Sequence, residues 1–476
     1  MHRALRNCIG IVILVAAAFA AASCGRAKPR AAPPAPPAAS AALAAAREAC
    51  ANANIVICCT DAARRDHFGC YGYGRATTPE IDKLAAEGVR FTNAVTDATY
   101  TLGACASLFA GQYPDTHGAS VAGMRIPLEL TTLPEACRAA GMRTAVLTSS
   151  GVIIKPHGFG DGVDDFVRVY QANQADHQVP ELQRAWRSWL DGIGDRRFFL
   201  YVHIMPPHHP YEEAGPFRGT FDPGYAGTLP PSTTLAFQLD AGEVRLSPRD
   251  HQHLLAMYDE VLAYGDWAVG TLVADLRQRG LLDKTLFILF SDHGEGFGEH
   301  GRYLHSNTVY DELTHIALIA RLPSGVRGAK REVDDYVQLS DMAPTLSSLT
   351  GIRFPPGQLQ GCDASPAMFD GHSRRSAAFS RCLREPRVLR SVEIPGAKGV
   401  FGSDGTLVEL YDLKADPGER TNLAAAQTAF AGRVTGLWRD WAGRQQYVGR
   451  GEGRRATARG LDTETRKWLR SLGYVK

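Results

Sequence analysis

Two strand-end carboxylates and one histidine are the residues of this chain best placed to do chemistry. Asp292-His293-Gly294-Glu295-Gly296 follows directly on the apolar run Thr285–Phe290. A carboxylate and an imidazole side by side on a strand-end loop can both turn toward one cation. Asp61 follows the apolar run 55–59 in the same way, with Arg64 and Asp66 close behind. Alone, Asp61 reads equally as a helix N-cap. Together, Asp61, Asp292 and His293 read as a metal site. Their donors are mostly oxygen, which favours calcium, with magnesium or manganese as alternatives, over zinc. His208 lies just past a third apolar run, between prolines in Pro207-His208-His209-Pro210.

These positions require strands that end at one level. Runs at 55–59, 144–147, 198–204, 285–290 and 316–321 read as strands buried on both faces. Pro79 to Gly88 and Leu133 to Ala140 read as helices, with Pro79 starting the first and glycines stopping both. Ala256 to Arg279 carries apolar residues at helical spacing and stops at Gly280. Strands alternating with helices predict an α/β fold, a mainly parallel sheet sandwiched by helices, with its site at the carboxyl ends of the strands. After Gly351 the short runs Ser391–Ile394 and Leu407–Leu413 predict a small appended domain.

Lys and Arg number 52 against 50 Asp and Glu, a net charge of +2, which leaves no electrostatic footprint for nucleic acid. Ten cysteines are too few for a disulfide scaffold in 476 residues, and pairing of Cys362 with Cys382 stays open. Arg3 and Arg6, the short uncharged run Ile9–Ala22 and small residues up to Ser23 read as a secretory signal over 1–23. Ala21-Ala22-Ser23-Cys24 resembles a bacterial lipobox, which makes Cys24 the lipidation site. Residues 24–53 read as an Ala/Pro-rich linker. The expectation is an exported protein of the cell envelope, lipid-anchored to a membrane and facing the periplasm or the exterior.

Several longer blocks share one resemblance. Asn54 to Gly72 with Thr78 to Phe91, Ala110 to Gly118, Pro207 to Tyr211, Ser291 to Gly301 with Tyr310-Asp311-Glu312, Glu409 to Ala424 and Leu469 to Val475 resemble, in order, the signature blocks of the sulfatase family. The resemblance implies an alkaline-phosphatase-like fold, catalytic over 54–352, with a small C-terminal α+β domain built on an antiparallel sheet over 353–476. It implies one divalent cation on Asp61, Asp292 and His293. It places His208 and His305 as catalytic residues lining an anion pocket, and Arg64 and His300 as substrate-binding.

The chain also departs from that family. The position of the oxidised cysteine or serine, counted back from Ala110-Gly111, holds Thr101, and Gly103, Ala104 and Cys105 replace the proline, serine and arginine that follow. Met205 stands where the middle block usually carries an acid. An aldehyde hydrate expels sulfate by collapsing to its carbonyl, an exit threonine lacks, so a Thr101 nucleophile leans toward phosphoric over sulfuric esters. The expected function is metal-dependent hydrolysis of a small, glycan or lipid anionic ester. A phospho-group transferase acting on envelope lipids or glycans, and an inactive anion-binding protein, are the alternatives.

Overall fold

Asn54–Thr60 (β1), whose residues are all buried, lies at the centre of the main sheet. The computed structural model describes residues 40–119, 124–169, 179–212, 214–369, 371, 373–383, 388–426 and 429–449. The leader 1–23, the lipidation candidate Cys24 and the closing block Leu469–Val475 lie outside the described residues. Nine more strands follow: β2 (Val89–Val95), β3 (Arg143–Thr148), β4 (Asp165–Arg168), β5 (Phe198–Ile204), β6 (Thr285–Ser291), β7 (Gly296–Phe297), β8 (Tyr303–Leu304), β9 (Leu318–Arg321) and β10 (Glu332–Gln338). Eight of these ten form one sheet in the order β10-β2-β9-β6-β1-β5-β3-β4, while β7 and β8 pair separately. Within the large sheet β9 alone runs antiparallel to its neighbours. Thr60 pairs with Ile204 of β5 and with Ser291 of β6. Asp61, Met205 and Asp292 therefore leave three adjacent strands at one level.

The longer helices are α1 (Ala41–Cys50), α2 (Pro79–Glu87), α3 (Thr101–Ala110), α4 (Leu133–Ala139), α5 (Val179–Asp191), α6 (Thr233–Asp240), α7 (Pro248–Gln278), α8 (Met342–Thr350) and α9 (Ala429–Ala442). Successive β1 side chains point to opposite faces. Ile55, Ile57 and Cys59 join a core with α1, α3, α4 and α8, and Val56 and Cys58 join one with α2, α5 and α7. This is the expected sandwich.

Three local differences have physical reasons. Residues 41–50, read above as the end of the linker, form α1: Ser40 caps it and Leu43, Ala46 and Cys50 are buried against α8. Alanine is the best helix former, so an Ala-rich segment folds once it finds a surface to pack on. α7 begins at Pro248, before the apolar periodicity does, because its first turns are largely solvent-facing and Ser247 caps them. Gly88 ends α2 with an extended φ of −117°; it is required because a Cβ there would meet the Ala320 carbonyl oxygen at 2.8 Å.

The C-terminal part is a four-stranded antiparallel sheet of β11 (Ala378–Arg381), β12 (Arg390–Ile394), β13 (Ala397–Phe401) and β14 (Leu407–Asp412), covered by α9. Cys362 and Cys382 are not bonded to each other, so the disulfide left open above is not formed. No helix among the described residues is long and apolar enough to cross a membrane.

Candidate active site

Adjacent strands bring the two acids together. Asp292 Oδ1 accepts from the backbone N–H groups of Ala62 and His293, both at 3.0 Å. Asp292 Oδ2 is buried and has no hydrogen-bond partner among the described residues. The His293 ring donates from Nδ1 to the Gly294 carbonyl at 2.8 Å. Its Nε2 then faces Asp292 Oδ2 at 3.5 Å and Asp61 Oδ1 at 3.7 Å. An orphaned carboxylate oxygen, a second carboxylate and a ring-nitrogen lone pair around one point are a donor set for a divalent cation. The loop can turn this tightly only through Gly294, where a Cβ would lie 1.9 Å from the Glu312 carbonyl oxygen.

Thr101 is the first residue of α3. The capping position belongs to Tyr100, which makes no side-chain cap. The Thr101 hydroxyl instead points at the acids, 3.4 Å from each Asp61 oxygen and 3.3 Å from His293 Nε2. Gly103 lies under the Tyr100 ring, with an added Cβ 2.6 Å from it, so a side chain at this position would have to displace that ring. Cys105 points away from solvent onto Tyr201 of β5, 3.4 Å from its hydroxyl.

β5 contributes a residue the sequence reading missed. His203 bonds Asp61 Oδ2 through Nε2 at 2.8 Å and the Tyr201 hydroxyl through Nδ1 at 2.9 Å. Burial alone would lower the His203 pKa, but the bond to Asp61 carries it up to about 10. Burial likewise works against an ionised Asp61, yet the charges of His208, His203 and His293 hold its carboxyl well below the usual range. At Asp292 burial and then the charge of Asp61 push the carboxyl up to about 7. Burial would raise the Cys105 thiol, but bonds to Cys59 and His203 bring it down to about 6.

His208 and His305 are brought to the same centre. Their ring centroids are 5.0 Å apart, and His305 lies 4.4 Å from the His293 ring. Glu295 bonds His305 Nδ1 at 3.0 Å and accepts from the Tyr211 hydroxyl at 3.2 Å. The remaining two expected residues are placed differently. Arg64 is committed to structure: it grips Asp66 through Nε and Nη2 at 2.9 and 2.7 Å, and Glu299 through Nη1 at 2.7 Å. Those two carboxylates take three of its five N–H donors and the Glu295 carbonyl oxygen a fourth, at 3.2 Å, so Arg64 is held mainly by structural partners. His300 stacks on Tyr310 at 3.8 Å and lies 4.0 Å from Glu312 Oε2, grouped with Glu312 and Glu419. Glu419 comes from the C-terminal part, so His300 stands at the seam between the two parts. His203, His209 and Glu295 are the functional candidates that were missed. A histidine inside the otherwise apolar strand 198–204 was the available signal for the first.

A match to the sulfatase family model covers residues 53–352, well over half of the chain. The chain belongs to the sulfatase family. It is 25% identical to the uncharacterized sulfatase YidJ of Escherichia coli, over 78% of this chain and 82% of that one. It is 26% identical to an ulvan-active sulfatase of Formosa agariphila, over 66% of this chain and 64% of that protein. Against human arylsulfatase A the identity is 25%, over 78% and 83%. Among solved structures, a phosphonate monoester hydrolase of Agrobacterium radiobacter superposes with a TM-score of 0.68 at 22% identity, over 82% of this chain and 95% of that one. These structures share the fold described above.

Proposed function

We propose that this sulfatase-family protein hydrolyses sulfuric or phosphoric esters through Thr101 as nucleophile. The observation that carries the reading is the Thr101 hydroxyl, held between Asp61 and His293 at 3.3 to 3.4 Å with no capping role to explain it. Asp61, Asp292 and His293 would hold the cation, which suits the orphaned Asp292 Oδ2. A bound divalent cation lowers the pKa of a coordinated hydroxyl and screens the charge of an anionic ester. Thr101 Oγ1, its proton lost to solvent, forms a bond to sulfur or phosphorus; the bond to the alcohol oxygen breaks as His208 or His305 protonates that oxygen; water then cleaves the threonyl ester and returns a proton to Thr101. His208 and His305, packed beside His293, would meet the ester's charged oxygens. His203 fixes Asp61, and Glu295 fixes His305.

Threonine favours a phosphoric or phosphonic ester, since a threonyl ester has no aldehyde exit. The sulfatase relatives favour sulfate, and the ulvan-active relative favours a glycan as the alcohol half. We propose in addition that the segment through Cys24 exports the protein and tethers it to a membrane by lipid. Incubation with aryl sulfate, aryl phosphate and aryl phosphonate panels, followed by intact-mass analysis of the quenched protein, tests the reaction. The expected result is turnover of at least one class with an adduct on Thr101, absent in Thr101→Ala. Unchanged burst kinetics in Thr101→Ala would overturn the assignment.

A further inference from the structure

Away from the catalytic centre, at the seam between the large sheet and the C-terminal part, His300, Glu312 and Glu419 each bring one ligand atom to within 4.8 Å of the others. They come from three separate segments: His300 from the loop between β7 and β8, Glu312 from the short turn of helix after β8, and Glu419 from the stretch after β14. The side chains of Glu312 and Glu419 are only 7% and 1% exposed. His300 stands at the solvent edge, with Nε2 4.0 Å from Glu312 Oε2.

The charges at this seam do not balance. Lys398 answers Glu419 at 2.9 Å, and His315 answers Glu393 at 2.9 Å. Arg64, whose charge reaches Glu312, is already held by Asp66 and Glu299. Glu312 is left with no cation of its own, while Glu299 and Glu419 add to the negative charge around it. Its Oε1 is buried and has no hydrogen-bond partner among the described residues. Buried polar groups are ordinarily paired, and buried carboxylates are paired with a cation or bind a metal. Burial pushes the Glu312 carboxyl up to about 7, the mark of a charge that lacks its partner. Burial also lowers the His300 pKa, so near pH 7 its ring is neutral and offers a lone pair.

We propose that His300, Glu312 and Glu419 hold a divalent cation of their own, a first-row metal that accepts both oxygen and nitrogen, of which zinc is the type. Donors bound to one zinc at roughly 2.1 Å sit at most about 4.2 Å apart, so small side-chain rotations complete the site. Water takes a fourth position. The ion's role is structural. It ties the C-terminal part, through Glu419, to Glu312, whose carbonyl oxygen is the one packed against Gly294 of the catalytic loop. The backbone N–H of Asp311, which donates to Glu419 Oε2 at 2.7 Å, already begins that tie. The site is independent of how Thr101 acts.

The test is zinc uptake by the full chain, stripped with chelator and titrated with zinc(II) alone, beside thermal unfolding. His300→Gln and Glu312→Gln should each take up one ion fewer than wild type and lose the rise in unfolding midpoint which that ion gives. Asp292→Asn should keep the seam ion, since Asp292 belongs to the catalytic centre. His300 lies at the solvent edge, so His300→Gln keeps the test open if Glu312→Gln does not fold. Uptake in His300→Gln and Glu312→Gln equal to that of wild type would overturn the proposal and leave Glu312 as a buried acid that keeps its proton. So would loss of every ion in Asp292→Asn, which would place all bound zinc at the catalytic centre.

Discussion

At the residue scale the site is two short chains of hydrogen bonds ending on Thr101. One runs from Tyr201 through His203 to Asp61, the other from Gly294 to His293. Both fix an atom that faces the hydroxyl. His203→Gln should therefore weaken binding of the first cation by about 10- to 100-fold without unfolding the protein, measured by metal titration beside a circular dichroism spectrum. Unaltered affinity would remove His203 from the site. Arg64 gives the opposite case. Arg64→Lys keeps the charge but loses the two-pronged grip on Asp66, so stability should fall by about 1–3 kcal/mol in thermal unfolding while KM stays put. A raised KM would instead make it a substrate group. Asp61 and Asp292 were legible because each lies just past an apolar run, and His293 because it adjoins Asp292. For Arg64 the sequence shows the nearby Asp66 but not Glu299, which arrives from far along the chain.

At the element scale the positions depend on close approaches that composition does not reveal. Register brings Asp61 and Asp292 level because β1 pairs β5 and β6 without a shift. The strands and the alternation were legible from apolar runs, since a strand covered on both faces has no polar residues to interrupt it. Strand order was not, because it depends on which edges meet. The loop after β6 meets the Glu312 backbone at Gly294. Backbone cannot rotate away as a side chain can, so Gly294→Ala should displace the Asp292-His293 turn, lowering both metal uptake and the unfolding midpoint. Retention of full metal affinity would contradict this. α1 was missed because its alanines carry no apolar period, only a few buried contacts. A chain starting near residue 39 should unfold like the longer one, whereas one starting at residue 54 exposes the α8 surface that Leu43 covers. Loss of a buried Leu contact of this kind costs about 2–3 kcal/mol, read in denaturant unfolding.

At the scale of the whole molecule, the two sheets are joined by buried charge, and buried charge makes stability depend on pH. Arg375 pairs with Asp341 in full burial and also reaches Gln338 and the Tyr113 hydroxyl. Asp97, beside this pair, accepts from Ser340 Oγ at 2.7 Å and Ser340 N at 2.9 Å. Burial pushes Asp97 up to about 7 in spite of those bonds. Asp266, which accepts from the first backbone N–H groups of α2, is likewise pushed up to about 7 by burial. Each carboxyl is then raised above its unfolded value of roughly 3.9. Between those values the folded state holds more protons than the unfolded one, so stability falls as pH rises through the window. Below about pH 4 both states are protonated and the effect vanishes; above about pH 7 the full cost of the buried charge is present. The unfolding midpoint should decline from about pH 4 to about pH 7, and the decline should flatten in Asp97→Asn/Asp266→Asn, whose amides keep an acceptor but never ionise. Both residues lie outside the cation donor set, so metal-loaded and metal-free protein should show the same difference in slope. A double variant as steep as wild type would assign the pH dependence to the site instead.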